Sequence, residues 1–383
     1  MTPSRATHPT CDLARLQDLL RHHVRALAAD PSMAHALPPL MIWGAPGVGK
    51  SASIRQVCKE EGIGFIDIRL AQREPVDLRG LPVPREDHVE WLLASEWPRA
   101  PESRGILLFD ELTAADRTLQ VAAYEILLDR RLGDLYQVPT GWYLCAAGNR
   151  SSDRAAATTM SSALANRFCH VEIDPNLEDW IVWAQARGLH PAVLGFLRFK
   201  PTAFLDMGGN LERGWPSPRS WERAAHELSL AERTRLDEGT LRVILAGLLG
   251  PGAAHELMAF RSWALQTDAR GMLLGTSPVE IPDRADRRFA LVTALVYHLW
   301  RVPERARALA RFLEIGIALP SDFASMAMVD ALRDCDAERL AALVDHPRQE
   351  RWRARHGAAL TARVGAPARD LADRLFADEE DPA

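Results

Sequence analysis

Gly44-Ala45-Pro46-Gly47-Val48-Gly49-Lys50-Ser51 follows the apolar run Leu40-Met41-Ile42-Trp43 and leads into a helix-compatible segment that begins at Ala52. The stretch reads G-x-x-x-x-G-K-S, the pattern of a loop that cradles the phosphates of a nucleoside triphosphate. Its glycines let the backbone curl until N–H groups point inward at phosphate oxygens, and the helix it opens turns its positive end toward the same anion. Lys50 would reach the β- and γ-phosphates, and Ser51 would offer its hydroxyl to Mg²⁺. The residues from Gly44 to Ala52 are therefore the expected nucleotide-binding set, with ATP and Mg²⁺ as the expected cofactors.

Sixty positions downstream, Ile106-Leu107-Leu108-Phe109-Asp110-Glu111 is an apolar run ending in two carboxylates. A buried parallel strand delivers acids at its C-terminal edge in this way. Asp110 would hold Mg²⁺, and Glu111 would orient and polarise the attacking water. The competing reading is that the two acids merely cap the next helix. Trp142 to Gly148 is another buried strand, and it ends at Asn149, whose amide is placed to meet a γ-phosphate or a water.

Around these three points the chain alternates strand and helix signals. Leu13, Leu16, Leu20, Val24 and Leu27 recur at helical spacing, so residues 12–28 read as an amphipathic helix, with residues 1–10 loose before it. Strands are expected at about 39–43, 64–70, 106–111, 142–148 and 170–173. Residues 71–104 form a long proline-broken insertion whose interior, His88 to Leu93, suits a small hairpin or helical turn. Residues 118–130 read as a helix and 133–141 as a short hairpin. The pattern gives a doubly wound parallel α/β domain over residues 1–175. Beyond Pro175 the strand signals fade. An all-helical lid is expected over 176–280, with a linker at 271–282, and a helical C-terminal extension of four or five helices over 281–383. In the lid, Ser217-Pro218-Arg219-Ser220-Trp221 reads as a helix start with Ser217 as cap, Pro218 at the first helical position and Arg219 in the first turn. A cation there is electrostatically unfavourable unless an anion lies near, and a triphosphate is one candidate.

Composition narrows the remaining classes. Hydrophobic residues make up 47% of the 383 residues and charged ones 25%, enough for a sizeable core. The net charge of −5, with lysine at positions 50, 59 and 200 only, gives no reason to expect nucleic acid as the main partner. The five cysteines, at 11, 58, 145, 169 and 335, are widely spaced and odd in number, which fits buried free thiols rather than zinc or disulfides. With no signal peptide and no run of about eighteen apolar residues, a cytoplasmic protein without a membrane segment is expected.

The ordered set of phosphate loop, Asp-Glu strand, strand-terminal Asn, Asn-Arg-Phe and Ser-Pro-Arg resembles the AAA+ ATPases. It is most similar to their MoxR branch, close to the dynein-related group. The phrases that carry this are Val76-Asp77-Leu78-Arg79-Gly80-Leu81-Pro82, Leu127 to Gly133, Ala146-Ala147-Gly148-Asn149-Arg150, Leu164-Ala165-Asn166-Arg167-Phe168 and Ser217 to Trp221. The resemblance covers roughly residues 35–225. It implies that Gly44 to Ser51 is Walker A, that Asp110 and Glu111 are Walker B, and that Asn149 is sensor 1. It further implies that Arg167 is an arginine finger acting on a neighbouring subunit's nucleotide and that Arg219 is sensor 2. Arg150 and Arg154 are alternatives for action in trans. A homo-oligomeric ring, commonly a hexamer, is expected, with a protein client and a separate von Willebrand factor A domain protein as partner. Residues 76–93 and 132–141 correspond to inserts that line the ring or contact clients. The implied function is an ATP-hydrolysing ring that remodels or matures a protein. The alternatives are a nucleic-acid-directed McrB-type GTPase and an ATP-gated scaffold with weak hydrolysis.

Overall fold

The computed structural model describes residues 10–150, 153, 160, 162–209, 211, 213–333 and 335–363. Two compact units result, residues 1–176 and 177–383.

The first unit is built on six parallel strands: β1 (Thr10–Cys11), β2 (Leu40–Trp43), β3 (Gly64–Arg69), β6 (Gly105–Asp110), β9 (Trp142–Gly148) and β10 (Cys169–Ile173). Two short antiparallel hairpins stand outside the sheet, one from β4 (Leu81–Pro84) and β5 (Val89–Leu92), the other from β7 (Arg131–Leu132) and β8 (Tyr136–Gln137). The sheet order is β1-β10-β2-β9-β6-β3, so β2, which carries the glycine-rich loop at its end, lies centrally between β10 and β9. Residues 1–10 read as loose from sequence, yet Thr10 and Cys11 add an edge strand that pairs with Glu172 and Ile173. Two residues are too few to show a period.

Helices cover the sheet. They are α1 (Leu13–Ala29), α2 (Lys50–Glu61), α3 (Pro75–Arg79), α4 (Arg117–Asp129) and α5 (Ser162–Ala165). Successive strand residues face opposite sides. Met41, Leu107, Phe109, Leu144 and Ala146 accordingly join Leu119, Ala122, Ala123 and Ile126 of α4 in one cluster. On the other face the His23 ring of α1 lies 4.6 Å from that of Tyr143. The α1 stripe is buried at Leu16, Leu20, Val24 and Leu27, and Asp12 caps its start by accepting from the Arg15 N–H at 2.7 Å.

The second unit is helical: α6 (Leu177–Ala186), α7 (Pro191–Phe199), α8 (Pro218–Thr234), α9 (Glu238–Leu249), α10 (Pro251–Leu265), α11 (Ala269–Leu274), α12 (Ala285–Leu299), α13 (Arg305–Ala318), α14 (Ser321–Arg333), α15 (Ala337–Val344) and α16 (Arg348–Arg363). The sequence reading made 271–282 a linker, but α11 occupies its first part, started by Asp268, which accepts from the Gly271 N–H, and stopped at the left-handed Gly275. Two apolar clusters form, one over residues 181–260 and one over 269–360, and Phe289 packs against both. A buried ion pair also joins them: Arg198 of α7 donates from both terminal nitrogens to the Asp330 carboxylate of α14. The described residues of the expected lid, from Leu177, and of the expected C-terminal extension thus lie in one compact unit.

Candidate active site

Leu40 to Trp43 pairs on both sides, and at Gly44 the chain leaves the sheet with its N–H still donating to Gly148 C=O at 3.3 Å. The loop then turns through Gly47 and Gly49, at φ 81° and 102°. These left-handed values cost a side-chain-bearing residue energy and suit glycine. Gly49 is the N-terminal cap of α2 and, having no side chain, puts no capping oxygen on the amides of its first turn. Such amides are a ready anion site. Lys50 is buried, and its ammonium donates to the loop's own carbonyls, Gly44 O at 2.5 Å and Ala45 O at 3.1 Å.

The second half of the site comes from β6. Asp110 Oδ2 accepts from Ser51 Oγ at 2.6 Å, and Asp110 Oδ1 accepts from the Glu111 N–H at 2.9 Å. Glu111 itself sits at φ 60°, a left-handed value that a glutamate adopts only where its surroundings hold it. Leu112 N–H to Ala147 O and Ala114 N–H to Glu111 O, both 2.9 Å, fix the turn. The helix-cap alternative for the two acids fails, because α4 is capped by Asp116, which accepts from the N–H groups of Thr118 and Leu119. Beside the pair, the Asn149 N–H donates to Thr113 Oγ1 at 3.2 Å. Its neighbour Gly148 has no room for a side chain, since a Cβ would lie 2.8 Å from Met41 and from Thr113.

This is the fold of a P-loop NTPase. A hydroxyl and a carboxylate held together at the loop are hard oxygen donors of the kind that suit Mg²⁺. That ion takes few protein ligands and keeps the rest of its shell for water and phosphate oxygens. Ser51 and Asp110 would hold it.

Three groups at this P-loop site went unnoticed in the sequence. Asp67, on β3, has its carboxyl held above the usual aspartate range, first by burial, then by the charge of Asp110, with Arg69 and Arg55 opposing and Glu111 adding to the rise. Its Oδ1 is buried with no hydrogen-bond partner among the described residues, while its Oδ2 lies 3.7 Å from Arg55 and 3.8 Å from Arg69. Glu172 accepts from Arg150 at 2.5 Å while Asp153 holds the same guanidinium at 2.9 Å. Arg150 is therefore engaged within its own chain, on the same edge as the loop. Trp43, the residue before Gly44, donates its indole N–H to His170 Nδ1 at 2.9 Å, and His170 Nε2 donates to Ala165 O at 2.7 Å. That chain of bonds runs from the phosphate loop to the turn that carries Arg167.

Arg167 is exposed, and it lies at the opposite edge of the sheet. Cys169 is level with Leu40, so Arg167 precedes even the start of β2, while Gly44 lies beyond its end. Four residues at about 3.3 Å separate the levels of Cys169 and Gly44, roughly 13 Å before the turn is counted. Its side chain lines a cavity of about 350 Å³ with Pro38, Pro39, Arg130 and Tyr143 on that far edge. No side-chain partner for Arg167 is found among the described residues. Arg154 lies outside the described residues. Arg219 belongs to the second unit, exposed in the first turn of α8, which Ser217 and Ser220 cap reciprocally with Pro218 at the first position.

None of the five cysteines forms a disulfide. Cys58 and Cys145 are buried, and burial pushes the Cys58 thiol up to about 11. The expectation of buried thiols fails for Cys11, Cys169 and Cys335, which are half-buried. No described helix is long and apolar enough to cross a membrane.

Residues 40–142 match the model of the viral superfamily 1 RNA helicase core domain. Midasin from Giardia intestinalis is 25% identical over 154 residues, which is 38% of this chain and 3% of that protein. The chain thus spans a small fraction of that relative's length. Among solved structures, NtrX from Brucella abortus aligns at 16% identity over 86% of this chain and 66% of its own, with a TM-score of 0.34. A variant of RuvB from Thermotoga maritima aligns at 17% identity over 79% and 88%, also with a TM-score of 0.34.

Proposed function

We propose that the chain is an ATP-hydrolysing motor of the AAA+ type, MoxR-like, that assembles as a homo-oligomeric ring and remodels or matures a protein client, with a von Willebrand factor A domain protein as partner. One observation carries the reading. The guanidinium of Arg167, without a partner among the described residues, stands at the edge of the sheet opposite the phosphate loop, too far for its side chain to reach a nucleotide held by its own Gly44 to Ser51. A positive charge so placed is useful to the nucleotide of a neighbouring copy.

The chemistry is an in-line attack of water on the γ-phosphate. Lys50 exchanges its two loop carbonyls for phosphate oxygens and neutralises them. Glu111 orients the water, and the strained backbone at that residue is part of holding it there. Asn149 fixes the γ-phosphate or the water from the neighbouring strand end. Ser51 and Asp110 would hold Mg²⁺, which would supply positive charge to the phosphates. Arg167 of the adjoining copy stabilises the charge that develops on the transferred group, and Arg219 does so from the lid. The test is Arg167→Ala: ATP affinity stays at the wild-type level while turnover falls about 10³- to 10⁵-fold. Wild-type turnover in that variant, or a monomer in saturating Mg-ATP, refutes the proposal.

A second reading is favoured by the helicase-core match over residues 40–142: a nucleic-acid-directed NTPase. The acidic net charge and three lysines weigh against it. Stimulation of turnover by single-stranded RNA or DNA, or a preference for GTP, would favour it over the protein-client reading.

A further inference from the structure

The hairpin β4–β5 has two unlike edges. At its tip the Arg85 N–H donates to His88 O at 2.8 Å, which makes that pair hydrogen-bonded. Bonded and non-bonded pairs alternate along an antiparallel ladder. Val83↔Glu90 and Leu81↔Leu92 are therefore the bonded pairs, and Pro82↔Trp91 and Pro84↔Val89 are the non-bonded ones, whose peptide groups point away from the hairpin. On β4 both outward positions are prolines, which have no N–H to give. On β5 the outward positions, Val89 and Trp91, keep their donors, and neither has another backbone partner among the described residues.

The same four residues share one face, because side chains alternate along each strand. Pro82, Pro84, Val89 and Trp91 are all exposed, Val89 at 53% and Trp91 at 45%. Glu90 lies on the other face, paired with Arg85. Natural sheets blunt an edge with proline, lysine, a bulge or a covering element. Here the prolines close one edge, and the other stays open beside an apolar platform.

We propose that the β5 edge takes up an extended, apolar segment of a polypeptide client as a third strand. Val89 and Trp91 supply the backbone donors and acceptors, and the Pro82–Trp91 face supplies the apolar grip. Strand addition to an open edge is a general mode of peptide recognition. A second copy of this chain is the weaker occupant. A four-residue strand is only about 13 Å long, and pairing two of them falls far short of the roughly 1,200 Å² that a stable interface buries. A short, weak grip suits a client that must be released. This rests on the motor reading for what the contact is used for, while the contact itself is measured without hydrolysis.

The test is fluorescence anisotropy of the full chain with a labelled seven-residue peptide of alternating valine and threonine, and with the same peptide N-methylated at every residue. The expected result is saturable binding of the first and at least tenfold weaker binding of the second. Trp91→Pro, which removes the outward donor from a non-bonded position, should weaken the first peptide at least tenfold with ATP turnover unchanged, and Pro82→Val should not weaken it. The proposal is overturned if the wild type ignores the unmethylated peptide, if the methylated one binds equally well, or if Trp91→Pro binds like the wild type. It is also overturned if that variant instead disperses an oligomer. Peptide binding that survives in a chain lacking trans hydrolysis removes the motor reading and leaves this site. Trans hydrolysis without peptide binding removes this site alone.

Discussion

If Arg167 serves the next copy's nucleotide, two dead proteins should make a live one. The perturbation is a mixture of Glu111→Gln, which keeps the guanidinium but loses the group that orients water, with Arg167→Ala, which keeps a complete pocket but offers no guanidinium to its neighbour. Each parent alone turns over at background. In a ring assembled from equal parts, a productive interface needs an intact Glu111 on one copy and an intact Arg167 on the adjoining one. Each has an even chance, so roughly a quarter of the interfaces are complete, and about a quarter of wild-type turnover returns if the sites fire independently.

The structure makes the alternative quantitative. Were Arg167 to act within its own chain, its side chain, about 7 Å long by ordinary bond lengths, would have to cover a separation of more than about 13 Å. It also leaves the sheet at the edge where β10 begins rather than where β2 ends. In that case every molecule in the mixture carries one lesion, and turnover stays at the weighted mean of the parents. Steady-state phosphate release, measured across mixing ratios with total protein fixed, separates the two. Trans action gives a curve peaking at equal parts, and cis action gives a straight line at background. A straight line from co-assembled parents would refute the reasoning.

Other consequences can be measured singly. Removing His170 as His170→Ala takes away both the acceptor for Trp43 and the donor to Ala165 O; ATP affinity should hold, while Glu111→Gln/His170→Ala should rescue Arg167→Ala less well than Glu111→Gln does. Asp67 has a raised carboxyl pKa in the folded chain, so the native state holds its proton to higher pH than the unfolded state, and stability falls as pH rises through the folded value. Asp67→Asn should therefore raise the urea midpoint at neutral pH and lose that advantage at acid pH, where the wild-type carboxyl is protonated in both states. Arg198 and Asp330 are buried partners, and Arg198→Ala, which leaves the carboxylate to Arg333 alone at 3.1 Å, should cost at most about 3–5 kcal/mol in urea unfolding, with much of it recovered when Asp330 is replaced by leucine as well. Ser51→Ala removes the hydroxyl that Asp110 accepts from, so the Mg²⁺ concentration needed for half-maximal turnover should rise while the melting temperature changes little.

Much of this site was legible because each part is a local pattern. The loop needs glycine at positions of left-handed backbone, a lysine and a hydroxyl at the mouth of a helix, and those lie within eight consecutive residues. Asp110 and Asn149 could be found because a fully buried strand reads as an unbroken apolar run whose first polar residue marks its end. The four or five helices expected from Arg284 onward were equally open to reading, and five, α12 to α16, are present among the described residues. The parts that escaped depend on pairing between distant segments. Asp67 looks like one alternating position of an ordinary strand, and only the β3–β6 register, with Arg69 beside Asp110, brings it to the acids.

The same limit governs the meaning of β10. As sequence, Cys169 to Ile173 is a modest strand whose polar residues, His170 and Glu172, suggest exposure. Once it lies beside β2, both are accounted for: Glu172 anchors Arg150 next to Asn149, and His170 joins Trp43 to the turn bearing Arg167. One strand thereby touches the end of the phosphate-loop strand, the residue after the strand-terminal Asn, and the base of the arginine offered outward. On the motor reading proposed above, a change at the loop on γ-phosphate release would reach the turn bearing Arg167 through two hydrogen bonds, Trp43 to His170 and His170 to Ala165. In the ring proposed above, whose copies must fire in some relation to one another, that would be a short mechanical link from a chain's own nucleotide to its neighbour's.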